Sequence, residues 1–208
     1  RLLIAETGNA QIRRLDAVDA VTTFAGQAVR SGYQDARGDL ARFSYPLGVA
    51  VTSRGEIVVT DVQNATLRLI NQQGEVSTLA GLHGAPGMAD GPAASARFMM
   101  PFRATADAAG NIYIADMAAC TIRRLDLDGL VTTAAGQAGD CSTVDGPLAD
   151  ARLGQIVDIA VDSAGNVSFI EGGHVVRRIS TAGQVSTLAG TLNTPGYNDG
   201  PGSSALFN

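Results

Sequence analysis

One short segment recurs four times along this chain of 208 residues: TFAG ending at Gly26, TLAG at Gly81, TAAG at Gly136 and TLAG at Gly190. The spacings are 55, 55 and 54 residues, and other landmarks keep step with them. Glu6, Asp61, Asp116 and Glu171 stand 55 apart. Arg13, Arg68, Arg123 and Arg177 each follow a β-branched residue or leucine. Asp35, Asp90, Asp145 and Asp199 open DARGDLARF, DGPAASARF, DGPLADARL and DGPGSSALF. A period of this length means a modular array, in which each unit buries its apolar face against its neighbour. The chain holds nearly four such units.

The second copy shows what a unit contains. GVAV (48–51) is small and apolar, IVVT (57–60) is β-branched, TLRLI (66–70) alternates, and VSTL (76–79) leads into Gly81. The breakers SRGE, DVQNA and NQQGE between them are turn sequences of the hairpin kind. Helical periodicity is absent, except that PAASARF and PLADARL are read as a turn or two of helix. Four short strands per unit, repeated at this length, predict the blades of an all-β propeller. The expected blades are a partial one over 1–26, then about 42–81, 97–136 and 152–190, with 191–208 a linker toward another blade. The whole of 1–208 reads as one propeller region.

The composite pattern PxGVAVxxxGxIxVxDxxNxxIRxIxxxGxVxTLAG resembles the NHL repeat, and the DGPxxxARF linker resembles the version found in bacterial NHL proteins. The resemblance implies strand order A, B, C, D outward from a central channel, with the D-to-A and B-to-C connections on one face. In that register the chain, which opens Arg1-Leu2-Leu3-Ile4, starts at the second strand of a blade, Leu2 to Ala5. One inner strand is then missing, which predicts a partial wheel, or one completed by a second copy of the chain. Many NHL rings have six blades, which at this period take roughly 330 residues.

Composition narrows the function classes. With 45% hydrophobic and 17% charged residues the chain is not a disordered one. A net charge of −5 argues against a phosphate-backbone binder, and no apolar run is long enough to span a membrane as a helix. No GxSxG nucleophile elbow is present, and the glycine-rich linkers lack the strand–loop–helix order of phosphate loops. Few aromatics and no Trp weaken a sugar-stacking site.

The repeated residues have structural readings. The acids Glu6, Asp61, Asp116 and Glu171 are expected to cap their own B-to-C turns rather than to form a ring of cation ligands. Arg68 and its repeats, together with Arg42, Arg97 and Arg152 of the ARF segments, are expected to pair with Asp35, Asp90 and Asp145 and brace one blade against the next.

Departures from the repeat point to function. Where copy two has Gly48, copies three and four have Arg103 and Asp158, either as an ion pair across neighbouring blades or as a ligand site at the channel mouth. His83 lies in a D-to-A linker and His174 in a B-to-C turn of another blade. Two such histidines fall short of the three protein ligands usual for catalytic zinc, which some NHL-like lyases use, so no metal or cofactor is assigned. Cys120 and Cys141 occur together in one blade and nowhere else, which predicts a disulfide and an extracytoplasmic compartment, periplasmic or secreted. The expected function is a non-catalytic scaffold that binds a protein or small ligand near Arg103, Asp158, His83 and His174. The alternatives are a hydrolase or lyase working at the channel mouth and a structural array in a larger secreted protein.

Overall fold

The computed structural model describes residues 2–208, and Arg1, part of the opening motif above, lies outside them. Four antiparallel sheets follow one another along the chain. The first has three strands, β1 (Leu2–Glu6), β2 (Gln11–Leu15) and β3 (Val21–Gly26), in that order. The second contains β4 (Ala36–Arg37), β5 (Pro46–Val51), β6 (Ile57–Asp61), β7 (Thr66–Ile70) and β8 (Glu75–Ala80). The third contains β9 (Gly91–Pro92), β10 (Pro101–Ala106), β11 (Ile112–Asp116), β12 (Thr121–Leu125) and β13 (Leu130–Ala135). The fourth contains β14 (Gly146–Pro147), β15 (Ile156–Val161), β16 (Val167–Glu171), β17 (Val175–Ile179) and β18 (Gln184–Gly190). Each of these three places its strands in the order A, B, C, D from the inner edge. The inner strands β5, β10 and β15 pack in succession along one wall. This is an open β-propeller wheel.

Two expectations are corrected. The full blades have five strands, because β4, β9 and β14 add two residues outside β8, β13 and β18. The linker stretches read as helix are turns instead, with a single 3-10 turn at Gly38–Leu40. Both follow from the repeated aspartate, whose carboxylate takes the N–H of Thr78, Thr133 or Thr187 at 2.8–2.9 Å and so lays the linker along the outer strand.

Three apolar cores sit between consecutive blades. Phe43, Phe98 and Leu153, the last residues of the ARF and ARL segments, are fully buried in them. They pack beneath the closing glycines of the preceding blade: a Cβ on Gly81 would meet Phe98 at 3.1 Å and the Ala65 carbonyl oxygen at 2.7 Å. With φ near +90° as well, that position takes only glycine, which accounts for the most regular landmark in the sequence.

Candidate functional site

The wall of the channel carries the asymmetry. Gly48, Arg103 and Asp158 sit at the irregularities where β5, β10 and β15 shift register against their partners. Gly48 donates its N–H to Thr60 Oγ1 at 2.7 Å, and a Cβ there would come within 3.0 Å of the Arg103 Cα. Glycine in blade two therefore lets the next blade's inner strand approach. Arg103 then reaches back, donating Nη1–H to the Leu47 carbonyl at 2.7 Å, with its guanidinium 5.9 Å from the Phe102 ring centre. Asp158 is exposed and accepts the Ile159 N–H at 2.9 Å. The expected ion pair is not formed. Instead both charges border one cavity of about 400 Å³, whose remaining lining comes from β5, from β10 including Thr105, and from Ile159 of β15. Each has hydrogen-bonding capacity left over, and the volume lies in the range of small-molecule sites, about 300–1,000 Å³.

Neither histidine joins them. His83 stacks on Tyr33, centroids 4.1 Å apart and rings 2° from parallel, and Tyr33 lies 4.8 Å below the Arg68 guanidinium. His174, at φ 67°, borders a separate cavity of about 420 Å³ with Val157, Ile170 and Phe207. Among the described residues no three His, Cys, Asp or Glu side chains are grouped as metal ligands. The residues present do not fit a catalytic zinc site.

The repeated charges are structural, in a different way from the expectation. Asp61 does not cap the backbone of its own turn: it accepts the Ser44 N–H at 2.6 Å, the Asn64 side-chain amide at 2.7 Å and Arg68 Nη1–H at 2.8 Å. Asp116 accepts the Met99 and Met100 N–H groups. Glu171 accepts the Thr143 hydroxyl at 2.7 Å and Arg177 at 2.5 Å. Glu6 bonds Gln11 and Arg13. Burial is the largest influence on Asp61 and Asp116 and lifts both above the ordinary carboxylate range, against their hydrogen bonds and arginines. Arg68, Arg123 and Arg177 also hold Asp35, Asp90 and Asp145 at 2.5–2.8 Å. These pairs clamp the linker to the blade that follows it, rather than joining two blades directly. Arg42, Arg97 and Arg152 do not pair with the repeated aspartates and instead bond linker carbonyls, with Arg152 also held by Asp140. Asp199, the fourth copy, is exposed.

Cys120 and Cys141 form the disulfide, with Cα atoms 5.2 Å apart. It joins the B-to-C turn of blade three to the linker that leaves that blade, so the two kinds of connection do share a face.

The family model for the NHL repeat matches residues 43–68. That segment is an NHL repeat, and the chain shares the β-propeller fold of the solved structures it resembles. No curated protein sequence matches it. Among solved structures, a Bacteroides thetaiotaomicron VPI-5482 protein of unknown function aligns over 97% of this propeller and 47% of its own length, at TM-score 0.71 and 22% identity. An auxiliary nutrient binding protein from Bacteroides ovatus ATCC 8483 aligns over 96% of this chain and 57% of its own, at TM-score 0.62 and 19% identity. A virginiamycin B lyase from Staphylococcus aureus aligns over 89% and 50%, at TM-score 0.58 and 12% identity. At these identities the likeness is one of fold. This chain spans about half the length of each.

Sequence reasoning passed over two contributors to the propeller's chemistry. Tyr33 and His83 come from different linkers and meet only through the curvature of the wheel. Thr60 bridges two blades, receiving the Gly48 N–H and donating its hydroxyl to the Phe102 carbonyl at 3.0 Å. A polar residue closing an apolar strand was the available signal for Thr60.

Proposed function

We propose that this propeller is a non-catalytic binding module that holds a small ligand against the channel wall between Arg103 and Asp158. One observation carries the reading: two opposite charges stand where blade two has Gly48, border the same cavity, and leave each other unpaired. A guanidinium anchored by one N–H keeps its other donors for an anionic group, and a carboxylate beside it suits an amine or hydroxyl. The ligand class is thus a small zwitterion or hydroxy acid. Solved neighbours of the same fold include both a nutrient binding protein and a lyase, and the unpaired charges at one cavity favour the binding reading over the hydrolase or lyase one. An extracytoplasmic location agrees with the disulfide.

The test is calorimetric titration with a panel of amino acids and hydroxy acids. The comparison variant combines Arg103→Gly with Asp158→Gly, which restores the residue of blade two at both places. The expected result is saturable binding to the parent and at least tenfold weaker binding to the variant, from loss of about 1.4 kcal/mol or more. Equal affinities, or no saturable binding to the parent, overturn the proposal.

A further inference from the structure

A second site lies on the opposite face, between blades two and three, where the repeat breaks toward apolar residues. Along the inter-blade seams, the last residue but one of the third strand is Arg14 in blade one, Arg124 in blade three and Arg178 in blade four. Blade two has Leu69 at that register. In the two flanking seams the space is filled. Arg14 lies over Phe24, 5.0 Å from its ring centre. Arg124 crosses to the Asn111 side-chain oxygen at 2.8 Å, Tyr113 packs on the core behind it, and the linker places Leu148 over Gly183.

In the middle seam the matching residues are smaller: Val58 for Tyr113, Leu69 for Arg124 and Ala93 for Leu148. An apolar cavity of about 270 Å³ results, walled by Leu69, Leu79, Ala93, Ile112 and Leu125, with Leu127 at the rim. Leu127 is 63% exposed and stands where the neighbouring turns have Gln72 and Thr181. Gly110 lies beneath it, since a Cβ there would meet Leu127 at 2.9 Å. The rim carries Arg54 and Glu56, whose charged ends make no hydrogen bond or ion pair among the described residues, and Asp126.

We infer that this cavity is a slot for one leucine- or phenylalanine-sized side chain, offered by an extended segment of a partner protein. The occupant is indicated by the molecule itself. At the next seam the equivalent position is taken by Leu148, the first turn residue after the two-residue strand β14, whose backbone N–H is held by the Gly183 carbonyl at 3.0 Å. In the middle seam the same linker position is held in the same way, Ala93 N–H to Gly129 carbonyl at 2.8 Å, with no side chain beyond Cβ to fill the space. Burying one such side chain yields about 1.5–3 kcal/mol, enough for an anchor but not for a tight complex by itself. The charged rim then supplies orientation. This site is independent of the channel wall.

The experiment uses methyl-labelled full-length protein and N-acetyl-phenylalanine amide, N-acetyl-leucine amide and N-acetyl-alanine amide as probes. The first two are expected to give saturable shifts of the Leu69, Leu79, Ile112 and Leu125 methyls, with the alanine probe at least tenfold weaker. Ala93→Leu, copying the next seam, and Leu69→Arg, copying the other three blades, should each abolish those shifts. Thermal melting of both variants shows that they fold, and two independent fillings guard against the collapse of either. Absence of saturable shifts at the slot overturns the inference, as does retention of binding in the folded variants. Because Arg103 and Asp158 lie elsewhere, their double glycine variant should bind these probes like the parent.

Discussion

Blades two and four solve the same problem with different acids. In blade two, buried Asp61 gathers Ser44 N–H, the Asn64 amide and Arg68, so linker, turn and third strand meet on one carboxylate. In blade four the acid is Glu171, one methylene longer, and it reaches Thr143 and Arg177 instead. The longer side chain claims the space above residue 154, where a Cβ would lie 2.9 Å from Glu171 Oε2. Glycine at 154 and the shortened turn Gly172-Gly173-His174 accommodate it. That lost residue is the 54 among the spacings of 55. A repeat position thus holds its chemistry while its neighbours change to suit, and a departure from consensus need not mark a ligand site.

The largest expected effect separates the two blades. Arg177→Met leaves Glu171 buried with one hydroxyl donor, whereas Arg68→Met leaves Asp61 with two donors. Removing one partner of a buried pair costs about 3–5 kcal/mol. Urea unfolding should place Arg177→Met at the upper end and Arg68→Met at the lower. Equal losses would mean that the remaining hydrogen bonds count for little.

Blade three adds a covalent fastening to the same turn-to-linker junction. Reduction of Cys120–Cys141 opens a loop of 21 residues. The chain-entropy model gives about 3 kcal/mol for a loop of this size. Dithiothreitol should lower the melting temperature of the parent and leave a Cys120→Ala, Cys141→Ala variant unmoved. An unchanged parent would show that the Gly139 N–H bond to the Ala119 carbonyl and the Asp140–Arg152 pair hold the junction unaided.

Gly154→Ala comes next. Overpacking of this kind costs about 1–3 kcal/mol, and Glu171→Asp on the same background should recover part of it by withdrawing the carboxylate. Ser44→Ala, the matching change in blade two, keeps the backbone N–H that Asp61 uses and should cost less. If Glu171→Asp worsens Gly154→Ala, the pairing of glycine with the longer acid is wrong.

The strands, the closing glycines and the disulfide were legible in sequence because each rests on local constraint. IVVT at 57–60 became Ile57–Asp61, and two cysteines absent from every other copy found each other. What escaped reading depended on curvature in space. Asp61 beside a turn suggests a local cap, yet its backbone donor lies 17 residues upstream, brought in by the returning linker. The stretch after each DG reads as a turn or two of helix, and only the neighbouring outer strand makes Gly91–Pro92 a fifth strand. Arg103 and Asp158 were found by their break with glycine, while their separate partners follow from the register shifts of β10 and β15.

Protonation offers the smallest and most selective test of the comparison. Asp145, nearer the surface, is opposed by burial, but the Thr187 N–H and Arg177 prevail and hold it below its ordinary 3.8. Buried Asp61 and Asp116 go the other way, above 3.8, because burial outweighs their donors. The two classes have opposite linkage. Asp145 contributes stability that is present above pH 3.8 and lost as pH falls through its lowered folded value. For Asp61 and Asp116 the favourable contribution exists below 3.8 and disappears as pH rises through their raised values, so at neutral pH their ionisation counts against folding. Asp145→Asn should therefore flatten the acid limb of the stability curve by about 0–1 kcal/mol, an exposed pair being screened. Carbon-detected NMR of the side-chain carboxyls reads the order directly, with Asp145 titrating below 3.8 and Asp61 above it. Should Asp61 titrate below 3.8 instead, its three donors outweigh burial, and the raised cost assigned to the blade interior is wrong.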